Sequence, residues 1–132
     1  MATPVLREPT YFILAALLDG PLHGYAIAQS ARELSGGAVD PTAGTLYGAL
    51  DRLAGQGLVE VDREEVVSGR RRRYHRLSDR GREVLVDEAA RLRAAAEVVQ
   101  RRAEMRQPPR RRTPATDKRQ MRRSAGRSGR GG

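Results

Sequence analysis

The 132-residue chain contains no cysteine and only two histidines, His23 and His75. Without cysteine it has neither a disulfide framework nor a thiolate metal site, and two distant histidines are too few to indicate a zinc centre. The absence of disulfides is typical of reducing compartments, so we expect a cytoplasmic protein. The sequence predicts no metal and no cofactor.

Long apolar segments are also missing. The longest run, residues 11–18, is far shorter than the roughly 20 residues that a membrane-spanning helix needs. The first residues lack the charged and apolar regions of a secretion signal. We therefore expect no membrane partner and no targeting segment. Because a small domain buries only a modest fraction of its surface, a partner subunit would help to stabilise this chain.

The basic charge is unevenly distributed along the chain, whose formal net charge is +9. Residues 1–105 hold 15 Arg and 15 Asp plus Glu, whereas residues 106–132 hold nine Arg, one Lys and one acid. Within the neutral part, residues 70–76 contain five arginines and no acid. Contact with nucleic acid is therefore predicted from this local cluster and not from the overall charge.

The N-terminal part has the apolar spacing of two helices. The first is expected at about residues 10–19, where it ends at Gly20 and Pro21, and most of it should be core. The second is expected from Leu22 to Leu34, before the glycine pair at 36–37.

A third helix follows, and its exposed face is unusual. Asp40 or Thr42 can cap it, and its buried stripe is expected to consist of Leu46, Leu50 and Leu53. The opposite face is small and hydroxyl-rich, and it carries Thr42, Ala43, Thr45, Tyr47, Gly48 and Arg52. Such a face can enter a DNA major groove, with the Tyr47 hydroxyl reaching a phosphate. The alternative is close packing of this face against another part of the same protein.

Two alternating segments after this helix predict a β-hairpin. They are LVEVDRE from residue 58 and RRYHRL at 72–77, with the tip near residues 65–70. The arginines expected to lie on DNA phosphates are Arg70, Arg71, Arg72 and Arg73. The alternative is a hairpin edge that is kept soluble by charge. A helix with a small outer face before an arginine-rich hairpin predicts a mainly α fold with a small β-hairpin, a winged helix-turn-helix domain at residues 1–78.

Residues 79–105 predict a long dimerisation helix that begins after a Ser78 and Asp79 cap. Its heptad stripe contains Leu85, Ala89, Leu92, Ala96 and Val99, which is typical of a helix–helix seam. Because alanines bury little area, the first helix should add Tyr11 or Leu14 to the dimer interface. The alternative is an amphipathic helix that covers the winged domain within one chain.

The segment at 106–132 has no apolar periodicity and contains Pro108, Pro109 and clustered arginines. It is expected to be a disordered basic tail that contacts DNA, or RNA, without reading sequence. The alternative is an inert extension that increases solubility.

Three segments resemble the PadR family of bacterial winged-helix transcriptional regulators. They are GPLHGYAI at 20–27, GTLYGALDRLAGQGLV at 44–59 and RRRRYHRLSDRGREVL at 70–85, in the family's order and spacing. The resemblance covers about residues 10–103 and departs at His75, where many members carry a second aromatic residue. It implies a homodimeric repressor that binds a pseudo-palindromic operator and dimerises through its C-terminal helix.

Some members of that family bind aromatic small molecules between the winged domain and the dimer helix, so an aromatic effector is a further candidate partner. This chain has only five aromatic residues and no Trp.

No enzymatic activity is predicted. His23 stands alone at a helix start, where it is expected to serve as a cap or a hydrogen-bond partner and not as a base. The predicted function is a sequence-specific transcriptional regulator that binds double-stranded DNA in the nucleoid. The alternative is a winged-helix protein-interaction module whose basic tail binds nucleic acid without specificity.

Overall fold

A computed structural model describes residues 5–106 of the chain. Within them lie four helices and a three-stranded antiparallel sheet of strand order β1-β3-β2. The elements are α1 (Glu8–Ala16), β1 (Leu22–His23), α2 (Gly24–Leu34), α3 (Ala43–Gly55), β2 (Val59–Val67), β3 (Arg70–Leu77) and α4 (Asp79–Arg106). The winged-helix fold and the long C-terminal helix predicted from the sequence are thus confirmed. The predicted basic tail lies outside the described residues from residue 107 onward.

The described residues divide into two units, one up to residue 94 and one from residue 95. The sequence predicts a boundary after residue 78. The first turns of α4 belong to the first unit because they bury Gly81, Val84, Leu85 and Glu88. Among the described residues, no helix is long and apolar enough to cross a membrane.

The first helix is shifted from its expected bounds. It begins at Glu8 because Pro9 fits the first turn, where a backbone N–H has no helical partner. It ends at Ala16, after which the Leu17 and Leu18 amides bond carbonyls only three residues back, in a tighter turn. Gly20 leaves this turn at a φ of 144°, a conformation that side chains rarely adopt.

The short strand β1 was not predicted. Leu22 pairs with His75 and His23 with Tyr74, so the expected start of α2 is instead a third strand beside β3. His23 still caps α2, because its Nδ1 accepts the Ala26 N–H at 3.5 Å. The two-residue strand therefore joins the start of α2 to the hairpin.

The predicted stripe of α3 is confirmed, since Leu46, Leu50 and Leu53 are each 2% exposed or less. Thr42 caps the helix, and its Oγ1 accepts the Thr45 N–H at 3.2 Å. Asp40, the other candidate cap, instead pairs with an arginine of α2.

The core contains two residues that the sequence places at a dimer interface. Leu14 is 0% exposed and Leu85 is 3% exposed, and both pack in the cluster formed by α1, α2, α3 and the start of α4. Their burial within one chain leaves them no surface for a partner.

Ser78 fixes the start of α4 against the preceding chain. Its Oγ donates to the Gly57 carbonyl at 2.7 Å and accepts the Gly81 N–H at 2.9 Å. Its own N–H bonds the Leu58 carbonyl at 3.1 Å. The predicted serine cap of α4 thus also holds the junction of α3 and β2.

The hairpin is longer and its turn is tighter than the sequence indicates. Only Ser68 and Gly69 lie between the strands, with φ of 52° and 76°. Two successive positive φ values are what a type I′ turn requires, and its twist matches that of the strands. A bulge lies between Val61 and Arg63, so Asp62 has no partner in the ladder.

Candidate nucleic-acid interface

The first half of α3 presents an open surface. Thr42, Ala43, Thr45 and Tyr47 are exposed. A Cβ built at Gly44 or at Gly48 would meet no atom within 4 Å, apart from the helix's own backbone. The face is therefore open around Gly44 and Gly48, and the alternative of close intramolecular packing holds only in part, at Tyr47.

The two threonines at the start of α3 have different roles. The Thr42 hydroxyl accepts the Thr45 N–H at 3.2 Å and donates to Thr45 Oγ1 at 3.0 Å. Its hydrogen is therefore used within the helix start. The Thr45 hydroxyl accepts this bond and keeps its own hydrogen, which it can donate to a phosphate or to an acceptor on a base edge.

Tyr47 packs against the start of α2. A Cβ on Gly24 would overlap the Tyr47 hydroxyl and lie 2.6 Å from its Cζ. The tyrosine is nevertheless 49% exposed. The end of its side chain thus lies against the start of α2, while much of the residue is exposed.

Arg52 has a partner within the chain. It lies in the last turn of α3, at the opposite end from Thr42 and Thr45. Its Nη2 donates to Oγ1 of the buried Thr10 at 3.3 Å. This bond ties α3 to α1, while the arginine remains exposed.

The acids of β2 oppose the arginines of the hairpin. Arg73 Nε lies 3.0 Å and Arg71 Nη1 lies 3.6 Å from the carboxylate oxygens of Glu64. Arg76 bonds Glu60 at 2.9 Å and Asp62 at 3.0 Å. These contacts partly support the alternative of a charged, soluble hairpin edge.

On the other face of the hairpin tip, fewer arginines form ion pairs with acids. Arg63 stacks on Tyr74, with its Cζ 3.9 Å from the ring centroid, and also bonds Glu65 at 2.9 Å. Within the described residues neither Arg70 nor Arg72 forms an ion pair with an acid. Arg72 lies opposite Glu65 in the ladder, but that carboxylate is engaged by Arg63.

The hairpin is consequently less basic than its arginine run. Residues 59–77 hold six Arg and four acids, a difference of two charges. Arg70 and Arg72 are the two arginines of this segment that lack an ion pair. The sequence does contain the acids, in VEVDREE, but only the strand register shows which of them meet which arginines.

Both histidines have a pKa below the ordinary value. Burial, followed by the charge of Arg72, lowers the pKa of His23. Burial and then Arg73 lower the pKa of His75, against a smaller opposite effect of Asp51. His75 is 6% exposed, and its Nδ1 has no hydrogen-bond partner. Both rings are therefore neutral at neutral pH, and neither adds positive charge to the interface.

The surface of α4 carries part of the predicted dimer stripe. Leu92 is 41% exposed and Val99 is 66% exposed, while Ala96 is exposed and Ala89 is half-buried. Tyr11 of α1 is also half-buried, against the core. The first turns of α4 thus cover the winged domain, as the alternative predicts, but the stripe from Leu92 onward remains open.

A buried carboxylate beside this stripe was not predicted. Glu88 is 2% exposed and forms two bonds with Arg91, at 2.9 and 2.6 Å. Arg91 is the main cause of its lowered pKa, and the Leu6 N–H also bonds it. Glu88 thereby ties the N-terminal segment to α4. Within residues 5–106 no three acidic or histidine side chains gather to form a metal site.

Comparison with known proteins gives a consistent result. Residues 13–87, more than half of the chain, match the Transcriptional regulator PadR-like family. An uncharacterised 37.1 kDa protein in transposon TN4556 of Streptomyces fradiae is 47% identical over 83 residues. That match covers 63% of this chain but only 22% of the relative, so the chain spans a small part of that protein.

Solved structures share the fold. A PadR family transcription regulator from Clostridium difficile R20291 has a TM-score of 0.61 and 26% identity, and covers 72% of this chain and 97% of its own. Bacillus subtilis PadR in complex with operator DNA has a TM-score of 0.55 and 22% identity, and covers 89% of this chain and 57% of its own. At that identity the second likeness shows the fold alone.

Proposed function

Because this chain belongs to the PadR-like family of transcriptional regulators, we propose that it binds a pseudo-palindromic operator as a homodimer and represses transcription there. The family consists of regulators and not of enzymes. The observation that carries the proposal is the open, small and hydroxyl-bearing face at the start of α3 beside a hairpin with two unpaired arginines. DNA as the partner implies a place at the nucleoid, in the cytoplasm.

The division of roles follows from the geometry. A helix-turn-helix reads bases with the first residues of its second helix, and Thr45 has a free hydroxyl hydrogen at that position. Arg70 and Arg72 can contact phosphates, which positions the helix without reading sequence. The Tyr47 hydroxyl lies beside Gly24, so any contact that it makes with a phosphate is made from that position.

The test is the ratio of affinities for selected and random duplexes. Duplexes are first enriched from a random library by binding to the purified protein. Thr45→Val, which removes the hydroxyl but keeps the branched shape, should weaken binding to the selected duplex by about 1 kcal/mol and affect random DNA less. Thr45→Ser keeps the hydroxyl and serves as the control.

Two outcomes would contradict the proposal. Failure to enrich any duplex, or an unchanged ratio in Thr45→Val, would show that α3 does not read DNA. The protein-interaction module would then be the better function, with α3 as its binding face.

The dimer proposal rests on the open stripe of α4. An exposed leucine and an exposed valine at heptad spacing are costly on a free helix surface and fit a helix–helix seam. Tyr11 can contribute its exposed part, whereas Leu14 and Leu85 cannot contribute.

Charge placed in the seam tests this assembly. Leu92→Glu should convert the dimer to a monomer and weaken operator binding, because a monomer contacts one half-site. Ala94→Glu adds the same charge on the opposite side of α4 and should leave the dimer intact. Light scattering measures the mass of both. A dimeric Leu92→Glu protein would refute the interface.

An aromatic effector that relieves repression completes the proposal. Two clefts are candidates: one of about 340 Å³ between the end of α1 and α2, and one of about 390 Å³ near Arg7, Thr10 and Arg52. A panel of aromatic acids and phenols should include a compound that raises the melting temperature and releases the selected duplex. If no compound does both, the effector is excluded from the proposal.

A further inference from the structure

Glu64 is placed at the centre of the arginine cluster. It lies directly opposite Arg73 in the ladder, and Arg71 is two residues further along the same face. Its two carboxylate oxygens are divided between them, with Oε2 3.0 Å from Arg73 and Oε1 3.6 Å from Arg71. One acid thus engages two of the four consecutive arginines.

A carboxylate between two guanidinium groups holds the position that a DNA phosphate would take. Both are oxyanions, and both accept N–H bonds from arginine in the same planar geometry. Exposed ion pairs are weak and can open. The Glu64 charge would nevertheless remain within a few ångströms of any phosphate that replaced it, because the residue is fixed in β2.

We propose that Glu64 limits the sequence-independent DNA affinity of the wing, because it engages Arg71 and Arg73 in place of phosphate and leaves Arg70 and Arg72 to contact DNA. This inference rests on the proposed DNA-binding function. Its consequence concerns the strength of binding. Each phosphate that a protein neutralises strengthens binding to every sequence alike, so a wing with four free arginines would bind selected and random DNA more tightly by the same factor.

Glu60 provides a matched control on the same strand. It carries the same charge and also bonds an arginine, Arg76, at 2.9 Å. Arg76 keeps a second partner, Asp62 at 3.0 Å, when Glu60 is removed. Glu60→Gln therefore removes one negative charge without releasing an arginine, whereas Glu64→Gln removes one charge and releases two arginines. The difference between the variants isolates the effect of Arg71 and Arg73.

The experiment measures binding of both full-length variants to a random duplex between low and moderate salt. Removal of one charge about 6 Å from a phosphate is expected to strengthen binding on the order of threefold in a water-like dielectric. Glu64→Gln should exceed this, and its log–log salt slope should steepen by about 0.9 for each arginine that gains a phosphate. Its affinities for selected and random duplexes should rise by the same factor. Glu60→Gln should keep the wild-type slope.

A second set of variants tests whether the effect passes through the two arginines. Adding Arg71→Gln and Arg73→Gln to Glu64→Gln should abolish the gain. In the wild-type background, Arg70→Gln with Arg72→Gln should weaken random-duplex binding more than Arg71→Gln with Arg73→Gln. Melting curves check that every variant folds, which is expected because the side chains involved are exposed or half-exposed.

Equal gains in Glu64→Gln and Glu60→Gln, or equal losses in the two arginine pairs, would overturn the inference. These comparisons use random DNA and do not need an operator. If no duplex is enriched by the wild type, the proposed function fails, but the role of Glu64 is still decided.

Discussion

At Gly24 and Gly81 the neighbouring atoms leave no room for a side chain, so packing and not helix propensity explains the glycine. Gly24 leaves room for the Tyr47 hydroxyl, which is the end of a side chain and can move. Gly81 lies against the Leu58 carbonyl, which is backbone and cannot move without shifting β2. A substitution at Gly81 should therefore be the more damaging of the two.

Gly81→Ala tests this close approach. The added methyl group would overlap the Leu58 carbonyl, so the free energy of unfolding should fall by about 1–3 kcal/mol, a typical cost of overpacking. Gly48→Ala is the control, since a Cβ there meets open space and a helical alanine is favoured by about 1 kcal/mol. Denaturant unfolding measures both. A Gly81→Ala protein as stable as the wild type would show that α4 and β2 are further apart.

His75 should make stability depend on pH. Its folded pKa lies below the ordinary 6.5 because its burial disfavours the charged ring. Below pH 6.5 the unfolded chain binds a proton that the folded chain does not, so stability is complete above this pH and falls as the pH decreases towards the folded pKa. The lowered pKa of a carboxylate such as Glu88 also makes stability fall as the pH decreases, but only nearer pH 4.5.

His75→Phe should therefore reduce the loss of stability between pH 7 and pH 5. His23 has a lowered pKa too, so some dependence should remain. Urea unfolding at each pH measures the slope, and His23→Asn, which can still cap α2, serves as the comparison. An unchanged slope in His75→Phe would mean that the pKa of His75 is the same in the folded and the unfolded chain.

At the scale of an element, the hairpin depends on a two-residue turn whose first residue, Ser68, is poorly suited to a positive φ. Ser68 adopts a φ of 52°, which is sterically unfavourable for most side chains but tolerated by asparagine. Gly69 follows at 76°. The register of the Glu64 contacts depends on this turn, because a slip of one residue would move every side chain to the other face.

Ser68→Asn should stabilise the hairpin, since Asn-Gly is the preferred type I′ pair. We expect a gain of a few tenths to about 1 kcal/mol in the free energy of unfolding, and a loss of about 1–2 kcal/mol for Ser68→Val. Thermal melts give the order of the three proteins. A more stable valine variant would show that the turn adopts another conformation.

At the scale of the whole molecule, the excess positive charge lies in the part of the sequence outside the described residues. Residues 107–132 hold eight Arg, one Lys and one Asp. The described part instead pairs most of its hairpin arginines with acids of β2. Strength of binding and discrimination should therefore belong to different parts of the chain.

Removal of residues 107–132 tests this separation. Truncation should weaken binding to selected and random duplexes by the same factor and flatten the salt slope by about 0.9 for each phosphate that the protein no longer neutralises. The ratio of the two affinities should not change. Measurements at several salt concentrations give the slope and the ratio together. A lower ratio in the truncated protein would assign base reading to the tail.

The sequence by itself determined the four helices and the hairpin, in their order along the chain. The leucine spacing of α3, the glycine pair after α2 and the alternation of the hairpin are local patterns, and local patterns follow directly from helix and strand geometry. Thr42 and Ser78 could be named as caps for the same reason. The small face of α3 was also visible, because it depends on residue types at helical spacing.

Only the tertiary structure decided which of these residues face which neighbours. The strand β1 exists because β3 provides a partner 51 residues or more along the chain, which no local pattern shows. Leu14 and Leu85 have the spacing of an interface, but packing of α1 and α4 in one core buries them. Glu64 and Arg52 obtain their roles from partners brought together by the strand register and by helix packing. Long-range contacts, not residue types, therefore determined which charges among the described residues have partners within the chain.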